Sequence, residues 1–324
     1  MGFVAFFFTQ EGLAVGAVSL RALPIWLFCL PIKIPIQLSI GLVFLFLCSV
    51  YAICFIVAWR FRESLQRVLR KAVSRPTRKL FNNCLFAMPV IASTTMIAVV
   101  AIQSIQESSG IPTGVPPLPE NPFETLLVSS YSPLTEEIGF RVSPIGIFLF
   151  AYLLLFGRKR VSLFARGQRL RLFIMSFLFP DRAKKLAGVK TVSDFGVISG
   201  ISMAEWVMVT STGVVFGLAH YVYGGGWEVG KISSAAVGVV LALTYLLYGV
   251  QAPILLLWFF NCYFTAFELA SELWPSLFPA YTIVWIVTTV LGICGWLAVA
   301  ILGINNVVGT VGRRTSPLGV ESLT

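Results

Sequence analysis

Residues 135–156 read TEEIGFRVSPIGIFLFAYLLLF: three ionisable side chains within six positions, running directly into an unbroken apolar block. Twelve apolar residues in a row belong in a membrane helix, where each charge costs roughly 2.5–3.5 kcal/mol on insertion scales. A cluster of charges at such a place implies a use. On a helix Glu137 and Arg141 stand at i and i+4 and share a face, so they can pair. Glu136 is turned about 100° away and is expected to stay unpaired within its own helix. One carboxylate is then neutralised locally while the other is left to act on something else.

The rest of the sequence agrees with a membrane setting. Hydrophobic residues make up 57% of 324 and charged ones 12%, against about 45–50% and 25% in soluble domains. The expected fold class is all-α, a polytopic transmembrane helical bundle of seven or eight spans. The net charge of +10 is concentrated: eight Lys/Arg lie in 60–79 and ten in 158–190. Basic loops between apolar spans are the positive-inside signature and predict contact with anionic lipid at the cytoplasmic face. The apolar remainder is a poor scaffold for a basic groove, so nucleic acid is not an expected partner. Cys29, Cys48, Cys54, Cys84, Cys262 and Cys294 lie in or beside apolar runs without C-x-x-C spacing, as small hydrophobes and not as a disulfide or zinc framework. Neither a cleavable-signal pattern nor a myristoylation pattern is found at the start.

Taken in order, 13–35 is apolar but carries Arg21, Lys33 and three prolines, and is expected to be a broken or tilted first span. Residues 37–59 and 84–105 are long enough to span. The basic segment 60–79 between them is helix-compatible, with Glu63 and Arg67 at i,i+4. Residues 107–124 hold five prolines, two glycines and three glutamates, with no lysine or arginine, the composition of an exposed outer loop. Pro133 suggests a helix start or kink just before Glu136. Residues 157–190 read as a basic insertion whose apolar middle, 170–179, is an amphipathic helix at the cytoplasmic surface or else a solvated loop. The stretch 197–221 is polar for a span and belongs inside the bundle. Spans at 232–248, 252–269 and 281–304 follow. The expected organisation is an N-terminal membrane region 1–122, a core 123–304 with a basic insertion at 157–195, and a tail 305–324.

His220, the single histidine, closes the polar span on the same outer side as Glu136. Standing alone, such a histidine is more often structural than catalytic. Asn261 sits midway along an apolar stretch and needs a partner from a neighbouring span or a substrate. Glu268 reads as interfacially exposed. Glu205, about 22 Å of helix rise from His220, reads as a packing or snorkelling group.

These residues carry a resemblance. Glu136-Glu137-Ile138-Gly139-Phe140-Arg141 fits E-E-x-x-x-R, Phe216 to His220 fits F-x-x-x-H, and 253–261 resembles P-I-x-x-H-x-x-x-N. Over about 123–269 the sequence is similar to the CAAX prenyl protease and bacteriocin-processing family (type II CAAX prenyl endopeptidases) of intramembrane proteases. It departs from that family at Leu257, where a second histidine is usual, and in a longer gap between Arg141 and Phe216. The resemblance implies an endopeptidase that cuts a membrane-anchored, possibly prenylated, protein or peptide. Glu136 would activate water, His220 would orient it, and Asn261 would donate to the oxyanion. Glu137 and Arg141 would hold the helix, with Phe216 supporting. No cofactor is implied; a divalent ion at Glu136 and His220 is the alternative, disfavoured because Glu137 is expected to be engaged and zinc usually takes more His or Cys. Competing readings are a non-catalytic relative that binds a membrane protein or peptide, favoured by Leu257, and an ion-coupled carrier, which lacks repeats or paired broken helices. The expected location is the cell membrane.

Overall fold

The computed structural model describes residues 2–61, 63–70, 81–115, 118–157 and 166–315. It is an all-α helical bundle with one small two-stranded sheet. Among the described residues seven helical stretches are long and apolar enough to cross a membrane: Ile40–Arg70, Cys84–Ser108, Pro122–Phe156, Met203–Tyr223, Val229–Tyr248, Gln251–Leu273 and Pro275–Ile301. The protein is therefore an integral membrane protein. "Outer" below means the end bearing the loop after Ser108, following the charge asymmetry of the sequence.

The expected first span is not there. After α1 (Gly2–Phe8) and α2 (Gln10–Ala17), the chain forms a hairpin of β1 (Ser19–Leu27) and β2 (Leu30–Ser39). Leu27 pairs with Leu30 across a two-residue turn in which Phe28 and Cys29 take φ of 48° and 64°, as a I′ turn requires. That turn makes Leu27/Leu30 a hydrogen-bonded pair. By alternation, Trp26/Pro31, Pro24/Lys33 and Ala22/Pro35 are the pairs whose N–H positions point outward. All three prolines of the hairpin occupy such positions, where no donor is needed. The prolines that forbid a transmembrane helix here also blunt the edges of the strands.

The hairpin runs down along α6 (Pro122–Glu137) from its outer end. The Tyr131 hydroxyl donates to the carbonyl of Pro24 at 2.7 Å, Cys29 N–H to the carbonyl of Gly139 at 3.1 Å, and Phe28 N–H to Ser143 Oγ at 3.2 Å. The lengths match: four strand residues and eight helix residues each advance about 12–14 Å. Two left-handed non-glycine residues cost on the order of 1 kcal/mol or more each, and the docked tip holds them. Gly139 makes the contact possible, because a Cβ there would run into the Cβ and backbone of Trp26. Gly139→Val is expected to lift the tip. In a variant keeping Cys29 as its one thiol, N-ethylmaleimide labelling should rise several-fold; unchanged labelling would show that the hairpin is held without this contact.

Three further expectations need correction. α6 starts at Pro122, with Asn121 Oδ1 accepting from Phe123 and Glu124 N–H, so of the two roles expected for Pro133 the helix start is excluded, and the proline lies inside the helix. The polar span starts at Met203: residues Val192–Gly200 form a separate helix kinked at Gly196, and Ser202 caps α11 (Met203–Tyr223). Glu205 does not snorkel. It closes a capping box with Ser202 and takes Lys184 Nζ at 2.7 Å in a pair buried on both sides. This ion pair ties the basic insertion to the polar span. The apolar middle of the insertion is a helix, Arg166–Leu178, seated on α7 (Ser143–Phe156), with Leu172 fully buried and Phe177 against Gly146. Glu63 precedes the short helix Leu65–Arg70, and residues 71–79 of the basic segment lie outside the described residues. The six cysteines are in no disulfide.

α11 packs against α12 (Ala235–Tyr248) and the 3-10 turn Val229–Ser234 that precedes it. Lipid offers no hydrophobic drive for helix pairing, so small residues that allow backbone approach decide where helices meet. Gly213 and Gly217 on α11 form a G-x-x-x-G face, with Gly238 of α12 against Gly213 and the Ile232 carbonyl against Gly217.

Candidate functional site

The 138–142 segment is a π-helical turn between α6 and α7, and 259–263 is a second one, between α13 (Gln251–Trp258) and α14 (Phe264–Leu273). Among the described residues these are the two π turns, and they coincide with the first and third motifs. π-bulges concentrate at functional sites because the extra residue re-aims side chains at the expense of helix regularity.

Arg141 Nη1 donates to Glu137 Oε1 at 2.9 Å, with both side chains fully buried. The pairing expected from spacing is thus present. Arg141 also reaches the Gly238 carbonyl at 3.3 Å, and its guanidinium carbon lies 4.2 Å from the centroid of the Phe216 ring. The Phe140 and Phe216 rings meet edge to face at 5.3 Å. These contacts clamp the first motif onto the second at the level of Arg141 and Phe216.

Depth follows from that clamp. α6 and α11 run in opposite directions, so one turn outward from Arg141 is Glu137 and one turn outward from Phe216 is His220. Each step rises about 6 Å. Glu137 and His220 therefore each stand about one turn outward of that clamp, on segments that meet at the π turn and α7. His220 Nδ1 lies 2.8 Å from the Phe216 carbonyl. A carbonyl only accepts, so Nδ1 carries a proton, and in the neutral imidazole Nε2 is then the acceptor. His220 is half-buried.

Glu136 is 8% exposed. It is not unpaired within its helix, as expected from the i+4 positions alone: Ser132, one turn earlier, donates to its Oε1. The i−4 direction carries the same information in the sequence and identifies Ser132. Among the described residues its Oε2 has no partner, and neither do Glu137 Oε2 and Arg141 Nε, all three buried. Buried polar atoms are almost always satisfied by protein or solvent. The three lie within about two turns of one helix, at the first motif. Lys231, which stacks over Trp227 at 3.6 Å, and Tyr51 are both close enough to feel the charge of Glu136.

The third motif runs alongside. Ser130 Oγ meets Cys262 Sγ at 3.1 Å, and Tyr51 donates from its hydroxyl to the Ser130 carbonyl at 2.6 Å. From that contact, counting inward along the antiparallel helices puts Asn261 near the depth of Ser132 and Leu257 near that of Glu136. Asn261 is half-buried and its side chain makes no hydrogen bond among the described residues. Leu257 is buried in the apolar core. Glu268 is exposed, away from this layer. From the hairpin, the Trp26 ring lies 5.0 Å from Phe140 and 5.7 Å from Tyr223, bridging the first motif and the end of the His220 helix. Nothing in the sequence signals Trp26, since its role depends on the hairpin.

Among the described residues no group of three or more His, Cys, Asp or Glu side chains could hold a metal ion. With Glu137 committed to Arg141, one carboxylate and one imidazole fall short of the usual four protein or solvent-completed ligands, and no step below is routed through a metal. Comparisons with protein families, with curated proteins and with solved structures find no match to this chain.

Proposed function

We propose that the protein is an intramembrane endopeptidase that hydrolyses a peptide bond of a membrane-anchored protein or peptide, with water activated by Glu136 and His220. The observation that carries this reading is the buried Oε2 of Glu136, without a partner among the described residues, little more than a turn outward of the contact of Arg141 with Phe216, from which His220 stands one turn outward on its own helix. In this scheme a water donates one hydrogen bond to Glu136 Oε2 and one to His220 Nε2. Glu136 takes its proton as hydroxide adds to the scissile carbonyl, and returns that proton to the leaving amine. Asn261 donates from its amide to the oxyanion. Arg141, Phe216 and Glu137 hold the two helices in register without touching the substrate.

Glu136 lies about 21 Å of helix rise from the outer start of its span, near the middle of a bilayer whose core is about 30 Å thick, so a substrate whose scissile bond reaches mid-membrane fits best. We place the protein in the cell membrane, with its basic loops on anionic lipid. The experiment is direct: protein in proteoliposomes with labelled single-span peptides, scored by mass spectrometry for one discrete cut.

Leu257 favours a second reading, a relative that binds a membrane peptide without cutting it. Loss of one oxyanion-type donor slows a reaction about 10²–10³-fold without abolishing it. Leu257→His is accordingly expected to raise the cleavage rate, since it adds a donor at the depth of Glu136. A faster variant supports a weakened peptidase; an inert wild type and an inert variant, both still binding peptide, support the non-catalytic relative.

A further inference from the structure

Between β1 and α6 lies a cavity of about 220 Å³. Its walls are Leu23, Trp26, Leu127 and Tyr131, and its floor is Ser132 and Thr135. The floor is one hydrogen bond from the proposed base, because Ser132 is the residue that donates to Glu136. The outer wall is held by bonds that do not belong to the helical bundle itself: Tyr131 to Pro24, and the docked tip at Gly139 and Ser143. The space is therefore created by the hairpin, and one residue of its lining, Ser132, is bonded to Glu136.

Size and lining choose the occupant. Pockets for drug-sized ligands run about 300–1,000 Å³, so this space is too small for a whole lipid chain and suits one large side chain. Apart from the floor the wall is hydrocarbon and aromatic, with the Tyr131 hydroxyl already used on Pro24. We infer that this cavity is the subsite for one large apolar side chain, of the leucine or phenylalanine class, next to the bond to be cut in a membrane peptide. The inference rests on the peptidase reading and adds the specificity determinant: Leu23 and Leu127 set the depth of the subsite, and Trp26 closes it against lipid.

The test uses full-length protein in phosphatidylcholine nanodiscs and a leucine–alanine single-span peptide carrying one photoreactive leucine. On irradiation, labels are expected on β1 and α6 around Leu23 and Leu127, in the wild type and equally in Glu136→Gln. Leu23→Trp fills the space and should remove most of that labelling. Leu23→Ala enlarges it, so that an unlabelled peptide with tryptophan at the same position competes in this variant but not in the wild type. That competition decides the matter if Leu23→Trp does not fold. Labelling confined to the lipid-facing helices, or unaltered by both substitutions, overturns the subsite. So does labelling of the cavity by phosphatidylcholine with a photoreactive acyl chain when the peptide leaves it unlabelled, which would make it a lipid site. Cleavage of the same peptide is followed in parallel. Cutting without cavity labelling removes the subsite alone, and cavity labelling without cutting removes the peptidase reading alone.

Discussion

Glu136→Gln is expected to reduce cleavage of a membrane peptide below detection while leaving the fold intact. Glutamine keeps the size of the side chain and can still take a hydrogen bond from Ser132, but it cannot accept a proton from water. General-base assistance contributes typically 10²–10⁴ in rate, and the same carboxyl is asked to return the proton to the leaving amine, so both halves of the reaction suffer. His220→Ala should fall nearly as far, because Nε2 is the second acceptor for the water and no other histidine exists to replace it. Glu268→Ala is the control: Glu268 is exposed and lies away from the layer, so activity should stay close to wild type. Rates for the three variants on one labelled peptide in proteoliposomes settle the point. Equal rates in all three would remove Glu136 from the chemistry and the peptidase reading with it.

The second large effect is on stability. Arg141→Met leaves Glu137 as a fully buried carboxylate without its counter-charge and takes away the guanidinium from the Phe216 ring. Breaking a buried pair from one side typically costs about 3–5 kcal/mol, and a desolvated cation–π contact adds up to about 2 kcal/mol. In detergent the thermal midpoint should drop by on the order of 10 °C. Removing both charges at once, Arg141→Met with Glu137→Leu, should recover much of that loss, since two apolar groups leave nothing unpaired. The comparison of single and double variants separates a structural clamp from a catalytic pair. If the double variant is as unstable as the single one, the bond from Arg141 to the Gly238 carbonyl, and not the ion pair, holds the helices.

Much of the fold was legible because it is local. A run of apolar residues such as 145–156 has to find a low-dielectric home, and its length fixes a span. Spacing of four residues fixes the Glu137–Arg141 pair before any tertiary contact forms, and the same rule read backwards gives Ser132 to Glu136. The hairpin was not legible. Hydropathy counts apolar side chains but does not distinguish a helix from two strands, and Pro24, Pro31 and Pro35 alone suggested only a broken helix. Their alternation on outward-facing strand positions becomes meaningful once the pairing register is known.

By itself, then, the sequence determined that this is a polytopic helical membrane protein and which helix faces carry the acids, the imidazole and the amide. Those properties depend on composition and on the 3.6-residue period, which every residue feels through its immediate neighbours. Tertiary structure alone decided that Arg141 and Phe216 lock two helices at one depth, with Glu137 and His220 each one turn outward of that contact. It also decided that Trp26 rests on Gly139 and bridges Phe140 to Tyr223. Both depend on contacts between residues far apart in the chain, set by where glycines let backbones approach, and no local period encodes them.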